Sequence, residues 1–246
     1  RGLGDVYKRQ DEPACDLLLG GSAENLEAYA DLFAPCPEAL LDQMHADCCG
    51  ASGAWCPLSR QRVVLIYNSK LVRMNPPDGW EDLLDPAWRG KIAFADGAGA
   101  GYPILAALAQ VLPGDASETL EAFAENLAGQ TPGSMDKIVD RVADGSFYIG
   151  VTYADSALRG IAAGYDIAIT SPHEGGVVTA DGMAVIAGSA HAENAQKFLE
   201  FAVLPEVQRH LLTAFCRTPV LADMPDEDAA EEFALSLIHI SEPTRP

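Results

Sequence analysis

The 246-residue chain is poor in positive charge: 16 Lys and Arg stand against 36 Asp and Glu, a formal net charge of −20. Such a surface repels nucleic acid and anionic lipid, which excludes both as partners. It leaves room for an anionic ligand, because a local cluster of backbone amides holds an anion even within a negative field. No apolar run approaches 18 residues, so no visible segment reads as a membrane-spanning helix. There is no C-x-x-C pair and no His at zinc-ligand spacing among the six cysteines Cys15, Cys36, Cys48, Cys49, Cys56 and Cys216. A metal knuckle is therefore not expected; His45, three residues before Cys48, is the nearest approach to one. The cysteines read as buried thiols, or as one or two disulfides of an exported protein. A Ser-His-Asp order, a spaced carboxylate pair with a His, and a nucleophile elbow are all missing, and so are internal repeats and low-complexity linkers. The expectation is a binder that needs no cofactor, not an enzyme.

The two ends match nothing around them. "RGLGDVYKRQ" (1–10) and "SLIHISEPTRP" (236–246) resemble translated adapter sequence at the edges of an assembled gene, and are set aside as non-native tails. Without them, 12 basic residues face 34 acidic ones, a net charge of −22. On this reading the protein is truncated at both ends and any signal segment lies outside the chain. What remains suits one large or two modest domains.

Strand and helix signals alternate through the rest. "ACDLLLGGSAENLEAYADLF" reads as strand, Gly-Gly turn and a helix capped by Ser22, with Leu26, Tyr29, Ala30 and Phe33 at helical spacing. A looser helix is expected over Pro37–His45, loop over Ala46–Ser59, and a doubly buried strand over Val63–Tyr67. Beyond Pro76 come a turn, a short helix and a strand. Helices follow that end at Gly129, Gly145 and Gly164, interleaved with the strands "SFYIGVTY", "YDIAIT" and "GMAVIAG". Two last helices break at Pro205. This alternation implies an α/β protein with mainly parallel sheets.

The stretch "KIAFADGAGAGYPILAALAQV" is the most informative. A strand ends in Gly97, Gly99 and Gly101, and Tyr102-Pro103 then opens a helix. A dinucleotide fingerprint would need its third glycine one residue later and an acidic residue at the end of the next strand; a phosphate loop of the ATP kind would need Lys-Ser/Thr. Neither is present. Two readings stay open: the amides of Gly99, Ala100 and Gly101 hold a small anion at the helix start, or the glycines permit close packing of helix on strand.

Several segments, taken in order, resemble the extracytoplasmic solute-binding proteins of ABC importers, in the subgroup that includes ferric-ion and 2-aminoethylphosphonate binders. These are "CDLLLGGSAENLEAYADLFAPC", "VVLIYNSKLV", "PPDGWEDLLDPAWRGKIAFAD", "ADGSFYIGVTYADSALRGIAAGYDIAITSPHEGG" and "NAQKFLEFAVLPEVQRHL". The most specific is the third, with Pro-x-x-Trp-x-Asp-Leu followed by Asp-Pro-x-Trp-x-Gly-Lys-Ile. The resemblance covers about residues 14–222 and implies a two-lobed periplasmic-binding-protein-like fold of type II with hinge crossovers. Residues 11–70 would form an incomplete first lobe, 71–170 the second, and 171–235 the return to the first. The ligand would lie in the cleft between lobes, and the glycine loop would border it, which tilts the open choice towards binding.

The resemblance implies the ligand set Gly21 and Ser22 from the first lobe, Gly99, Ala100, Gly101, Ser134 and Tyr153 from the second, and Glu174 from the hinge loop. Ser22 and Ser134 have competing readings as helix caps, Tyr153 as a core tyrosine and Glu174 as a brace for the hinge loop. Ferric binders of the subgroup carry two consecutive tyrosines where this chain has Tyr153-Ala154-Asp155. A hard ferric ion needs several anionic oxygens, so a phosphonate, phosphate ester or other small anion is the expected ligand, with ferric ion the alternative. Asp155 and Glu174 suit a zwitterion carrying an amine. The implied partners are that solute and a membrane permease, for a monomeric protein that is periplasmic or extracellular and either free or lipid-anchored. Two other classes stand as alternatives: an enzyme of the same fold using Cys49 or Cys56 as nucleophile, and a sensing domain that passes its closure to a partner.

Overall fold

The computed structural model describes residues 13, 15–95, 101–112, 114–170 and 172–224. In chain order its elements are β1 (Leu17–Ser22), α1 (Ala23–Ala28), α2 (Glu38–Leu41), β2 (Cys56–Asn68), β3 (Ile92–Ala93), α3 (Tyr102–Val111) and α4 (Ala116–Leu127). Then come α5 (Met135–Ala143), β4 (Ile149–Tyr153), α6 (Ala154–Ala162), β5 (Ile167–Thr170), β6 (Val177–Val185), α7 (Ala192–Ala202) and α8 (Pro205–Phe215). Short 3-10 turns cover Ala46–Cys48, Glu81–Leu84 and Pro86–Trp88 among others. The described residues form two compact units, divided between Arg60 and Gln61, inside β2, and between Thr179 and Ala180, inside β6.

Unit 1 joins the chain up to Arg60 with the segment from Ala180. Here β1 pairs antiparallel with the end of β6, Leu17 opposite Val185 and Leu19 opposite Met183, and the register then slips before Ser22 meets Asp181. Gly20 and Gly21 sit in that slip with φ of +84° and +122°, which side chains rarely adopt. The expected Gly-Gly turn is thus a bulge within the strand. Of the expected helix over Pro37–His45 only α2 forms, and the segment 46–59, expected as loop, contains a 3-10 turn and the first residues of β2. The continuity of Val63–Tyr67 revealed only the apolar end of a 13-residue strand. On α7, Ala195, Leu199 and Ala202 face the core at helical spacing, and a break at Pro205 opens α8.

Unit 2 is a contiguous run. The second half of β2 lies between β4 (Val63 opposite Tyr153) and β5 (Leu65 opposite Thr170), antiparallel to both. The β3–β4 pair is parallel, Ile92 opposite Ile149. So β3, β4 and β5 point the same way, as helical crossovers require. The mainly parallel sheet expected from the alternation is corrected to a mixed one, because β2 inserts between β4 and β5 against their direction, a non-local pairing with no periodic signature. Both faces of β2 are buried: Val63 and Leu65 join Trp80, Phe94 and Phe123 on one side, Val64 and Ile66 join Ile138 and Val142 on the other. On that second face a Cβ at Gly150 would come within 2.8 Å of Ile138 and 2.9 Å of Val142, so β4 and α5 pack too closely for any other residue.

Candidate anion site at a sheet edge

Two helices of unit 2, α5 and α6, begin at one edge of its sheet, and α3 begins in the chain after β3. Ile92 is level with Ile149 across the parallel β3–β4 pair, and Ala95 makes a parallel bridge to Gly133. The same registers bring Gly133 and Thr152 level with Ala95 on its two sides, so Ser134 and Tyr153 each follow one residue later. Ser134 is the N-cap of α5 and Tyr153 the N-cap of α6. Gly101, buried and in helical conformation (φ −63°, ψ −46°), is the N-cap of α3. The helix starts leave N–H groups without intrahelical partners, and their dipoles place partial positive charge beyond the carboxyl ends of the strands. That is where α/β sheets take ligands.

The side chains at this edge add to the pattern. Ser134 is exposed and its hydroxyl caps nothing, so the competing cap reading is not what the structure shows. Thr152, fully buried beside Tyr153, has a hydroxyl without a hydrogen-bond partner among the described residues. It was not among the sequence candidates; the only signal was its place in the run Gly150-Val151-Thr152 at a strand end. Tyr153 is half-buried. Asp155, in the first turn of α6, is answered by Arg159 at 2.9 Å, which reduces the opposing negative charge.

The other sequence candidates fall elsewhere. Gly99 and Ala100 lie outside the described residues, as does Gly97. In unit 1, Gly21 belongs to the β1 bulge, and Ser22 caps α1, accepting the N–H of Asn25 at 3.4 Å. Glu174 is engaged by its own neighbourhood: one carboxylate oxygen accepts the N–H of Glu81 at 2.9 Å. Burial opposes its charge, but the backbone N–H groups of Glu81, Trp80 and Glu174 prevail and hold the carboxyl below its ordinary range. Gly79 permits this close approach, since a Cβ there would strike His173 and Glu174. Trp80 donates its indole N–H to the carbonyl of Gly175 at 2.9 Å, locking the same two segments. A groove of about 630 Å³ runs beside α5, lined by Gln130, Lys137, Asp140, Arg141 and Phe147 among others. It includes none of Gly101, Ser134 and Tyr153, so this groove is distinct from those helix starts.

The thiols weighed as nucleophiles are poorly suited to it. Burial raises Cys49, and Cys56 is raised by its hydrogen bond with the Cys36 thiol and by burial.

An α/β fold with helix starts at the carboxyl edge of its strands offers a place for a bound solute. The comparisons give the family. A model of the bacterial extracellular solute-binding proteins matches residues 16–238, and the chain belongs to that family. It is 25% identical over 194 residues to iron uptake protein A1 of Synechocystis, covering 74% of this chain and 54% of that protein. It is 27% identical over 251 residues to the Fe(3+)-binding periplasmic protein of Serratia marcescens, covering 95% of this chain and 71% of that one. The chain thus spans only about half the length of the first of these relatives. Among solved structures, the periplasmic binding protein AfuA of Actinobacillus pleuropneumoniae, holding fructose-6-phosphate, has the same fold (TM-score 0.73, 18% identity, covering 96% of this chain and 84% of AfuA). The family and these relatives are binding proteins rather than enzymes.

Proposed function

We propose that the chain is the solute-capturing component of a bacterial ABC importer, and that it holds a small anion or zwitterion of the phosphonate or phosphate-ester kind. The α5 and α6 starts at one sheet edge, with the Ser134 hydroxyl capping nothing and the Thr152 hydroxyl without a partner among the described residues, are the observation that carries this reading. Helix N-termini complement phosphate oxygens by dipole and by free N–H groups, at no cost in deprotonated ligands. AfuA offers a parallel, since the same fold there holds a phosphate ester. The captured solute passes to a membrane permease on the extracytoplasmic side, in keeping with the extracellular family.

A second reading has its own support: both curated relatives are named for iron, and Tyr153 stands at the site edge. A ferric ion would draw on the Tyr153 phenolate.

Thermal unfolding with inorganic phosphate, 2-aminoethylphosphonate, fructose 6-phosphate and ferric citrate separates the two. A ligand at a hundred times its dissociation constant adds about 2.7 kcal/mol, a rise of several degrees in Tm. The anion reading expects that rise with a phosphoryl compound, reduced by Thr152→Val and kept by Tyr153→Phe. A rise with ferric citrate alone, with a visible phenolate-to-iron band that Tyr153→Phe removes, would establish iron instead.

A further inference from the structure

Unit 1 gathers four of the six cysteines, Cys36, Cys48, Cys49 and Cys56, around one core. Their surroundings differ. The Cys48 thiol donates to the His45 carbonyl at 2.9 Å, and the Cys49 thiol approaches the His45 carbonyl at 3.6 Å and that of Leu41 at 4.0 Å. Both are thus turned onto the backbone of the segment just before them. The Cys36 and Cys56 thiols interact with one another inside the same cluster, and the Cys56 S–H also lies 3.5 Å from the Pro57 carbonyl. They are 9% and 0% exposed. The main chain supports this approach: the N–H of Cys36 donates to the carbonyl of Gly53 at 2.9 Å, closing the intervening segment back on its start. Among the described residues no group of three or more His, Cys, Asp or Glu is arranged to hold a metal ion. The family is extracellular, and outside the cytoplasm facing thiols become disulfides that persist.

We propose that Cys36 and Cys56 are joined by a disulfide in the exported protein, closing the loop of residues 37–55. This inference rests on the family's extracellular setting and is independent of which solute is bound. The chemistry is exchange with a small or protein disulfide, RSSR. The Cys36 thiolate attacks one sulfur of RSSR and expels RS⁻, leaving a mixed disulfide on Cys36. Cys56 then gives up its proton and attacks the Cys36 sulfur, expelling the second RS⁻. Two protein thiols are oxidised to one disulfide, and RSSR is reduced to two RSH that carry the two protons away. In the folded unit the Cys36 thiol is held below its ordinary range by its interaction with Cys56, and Cys56 is raised. Because both sulfurs are buried, exchange takes place while unit 1 folds, and the finished bond is shielded from reductant.

The test is mapping on the full chain. The protein is unfolded, refolded in a mixture of reduced and oxidised glutathione, and alkylated. Cleavage after Glu38 and after Trp55 then places Cys36, the Cys48–Cys49 pair and Cys56 on three separate peptides. The expected product links the Cys36 peptide to the Cys56 peptide, with Cys48 and Cys49 alkylated. Its Tm lies about 6 °C above that of protein refolded with dithiothreitol, as a loop of this size implies. The double variant Cys36→Ser, Cys56→Ser shows the lower Tm in both buffers. Alkylation of both Cys36 and Cys56 in the oxidised folded protein, or linkage of either to another cysteine, overturns the proposal. The same mapping on protein exported by a bacterial host reads the bond without any refolding step and decides by the same peptides. Phosphate-induced shifts measured on both redox forms keep this outcome separate from that of the ligand reading.

Discussion

The two units solve the same problem of assembly in different ways. Unit 2 is one continuous stretch, Gln61–Thr179, and buries two apolar layers on the two faces of β2. Unit 1 is stitched from two segments more than a hundred residues apart, and polar ties join them. Ser59 donates to Asp181 at 2.5 Å, Arg217 reaches the same carboxylate at 3.2 Å, and Arg60 and Thr218 exchange two backbone hydrogen bonds. The contiguous unit rests on packing, and the stitched unit adds specific polar registration between its segments to a core of its own. Loop-closure entropy makes the second arrangement dependent on every long-range tie that holds its ends together.

The largest effect should come from removing packing in unit 2. Phe123 is fully buried and meets Phe94 edge to face, ring centroids 5.2 Å apart. Phe123→Ala should cost about 3–5 kcal/mol. Hydrogen exchange read peptide by peptide should show the loss concentrated in residues 80–150, with peptides of unit 1 keeping their protection. Equal loss in both units would mean that they unfold as one cooperative body and that the contrast has no energetic content.

A smaller effect is expected from the buried amides that tie each unit. Gln208, fully buried, donates to the carbonyls of Leu58 at 3.0 Å and Ala202 at 2.9 Å and accepts the N–H of Val220 at 3.0 Å, so a single side chain holds both segments of unit 1. Asn68 plays the corresponding part in unit 2: its amide donates to Val142 at 2.8 Å and accepts from Lys70 and Leu71. Gln208→Leu leaves two buried backbone groups and the half-buried Leu58 carbonyl without this partner and should cost about 2–4 kcal/mol. Asn68→Ala should cost about 2 kcal/mol, since its chain-local N–H partners can turn to water. Urea unfolding of the two variants gives the order; an Asn68 loss exceeding that of Gln208 would contradict the stitched picture of unit 1.

The same contrast explains what was legible in the sequence. The elements of unit 2 followed from local chemistry: Asp115 capping α4, and glycines at positive φ after α4, α5 and α6. The helix starts around Gly101, Ser134 and Tyr153 were legible for the same reason, because strand, turn and cap are neighbours in the chain. In unit 1 the Pro37–His45 segment has apolar residues at helical spacing, yet only four of them form α2, since its apolar residues pack into a core built with the distant Val220 and Leu221. Thr152 escaped notice because an unpartnered hydroxyl is a property of three-dimensional surroundings. Glu174 was legible as a brace or a ligand group alike, and only its bond to Glu81 shows what it holds.

The smallest predicted effect concerns pH, and it too divides the units. In unit 1, Glu27 accepts the indole N–H of Trp55 at 2.8 Å and both the N–H and hydroxyl of Ser52, at 2.7 and 3.0 Å. Its carboxyl is held below the ordinary range, first by Trp55, against a smaller opposing effect of burial. A lowered carboxyl contributes stability above its unfolded value, about 4.3, and loses it as pH falls through the folded one. Unit 2 has the same acid limit through Glu174 and a second limit through His173. The His173 ring, bonded to the Asp78 carbonyl and facing Asp78, Glu81 and Glu174 at 3.7–3.9 Å, is raised, chiefly by that backbone bond. A raised histidine contributes fully below its unfolded value, about 6.5, and the contribution fades as pH rises through the folded value. Between pH 6 and pH 8.5, hydrogen exchange corrected for its intrinsic rate should therefore quicken at residues 78–82 and stay constant at residues 50–55. His173→Gln should abolish the difference. If both segments loosen together across neutral pH, or the variant still loosens at 78–82, His173 does not supply the second limit and the clasp of unit 2 is carried by Glu174 and Trp80 alone.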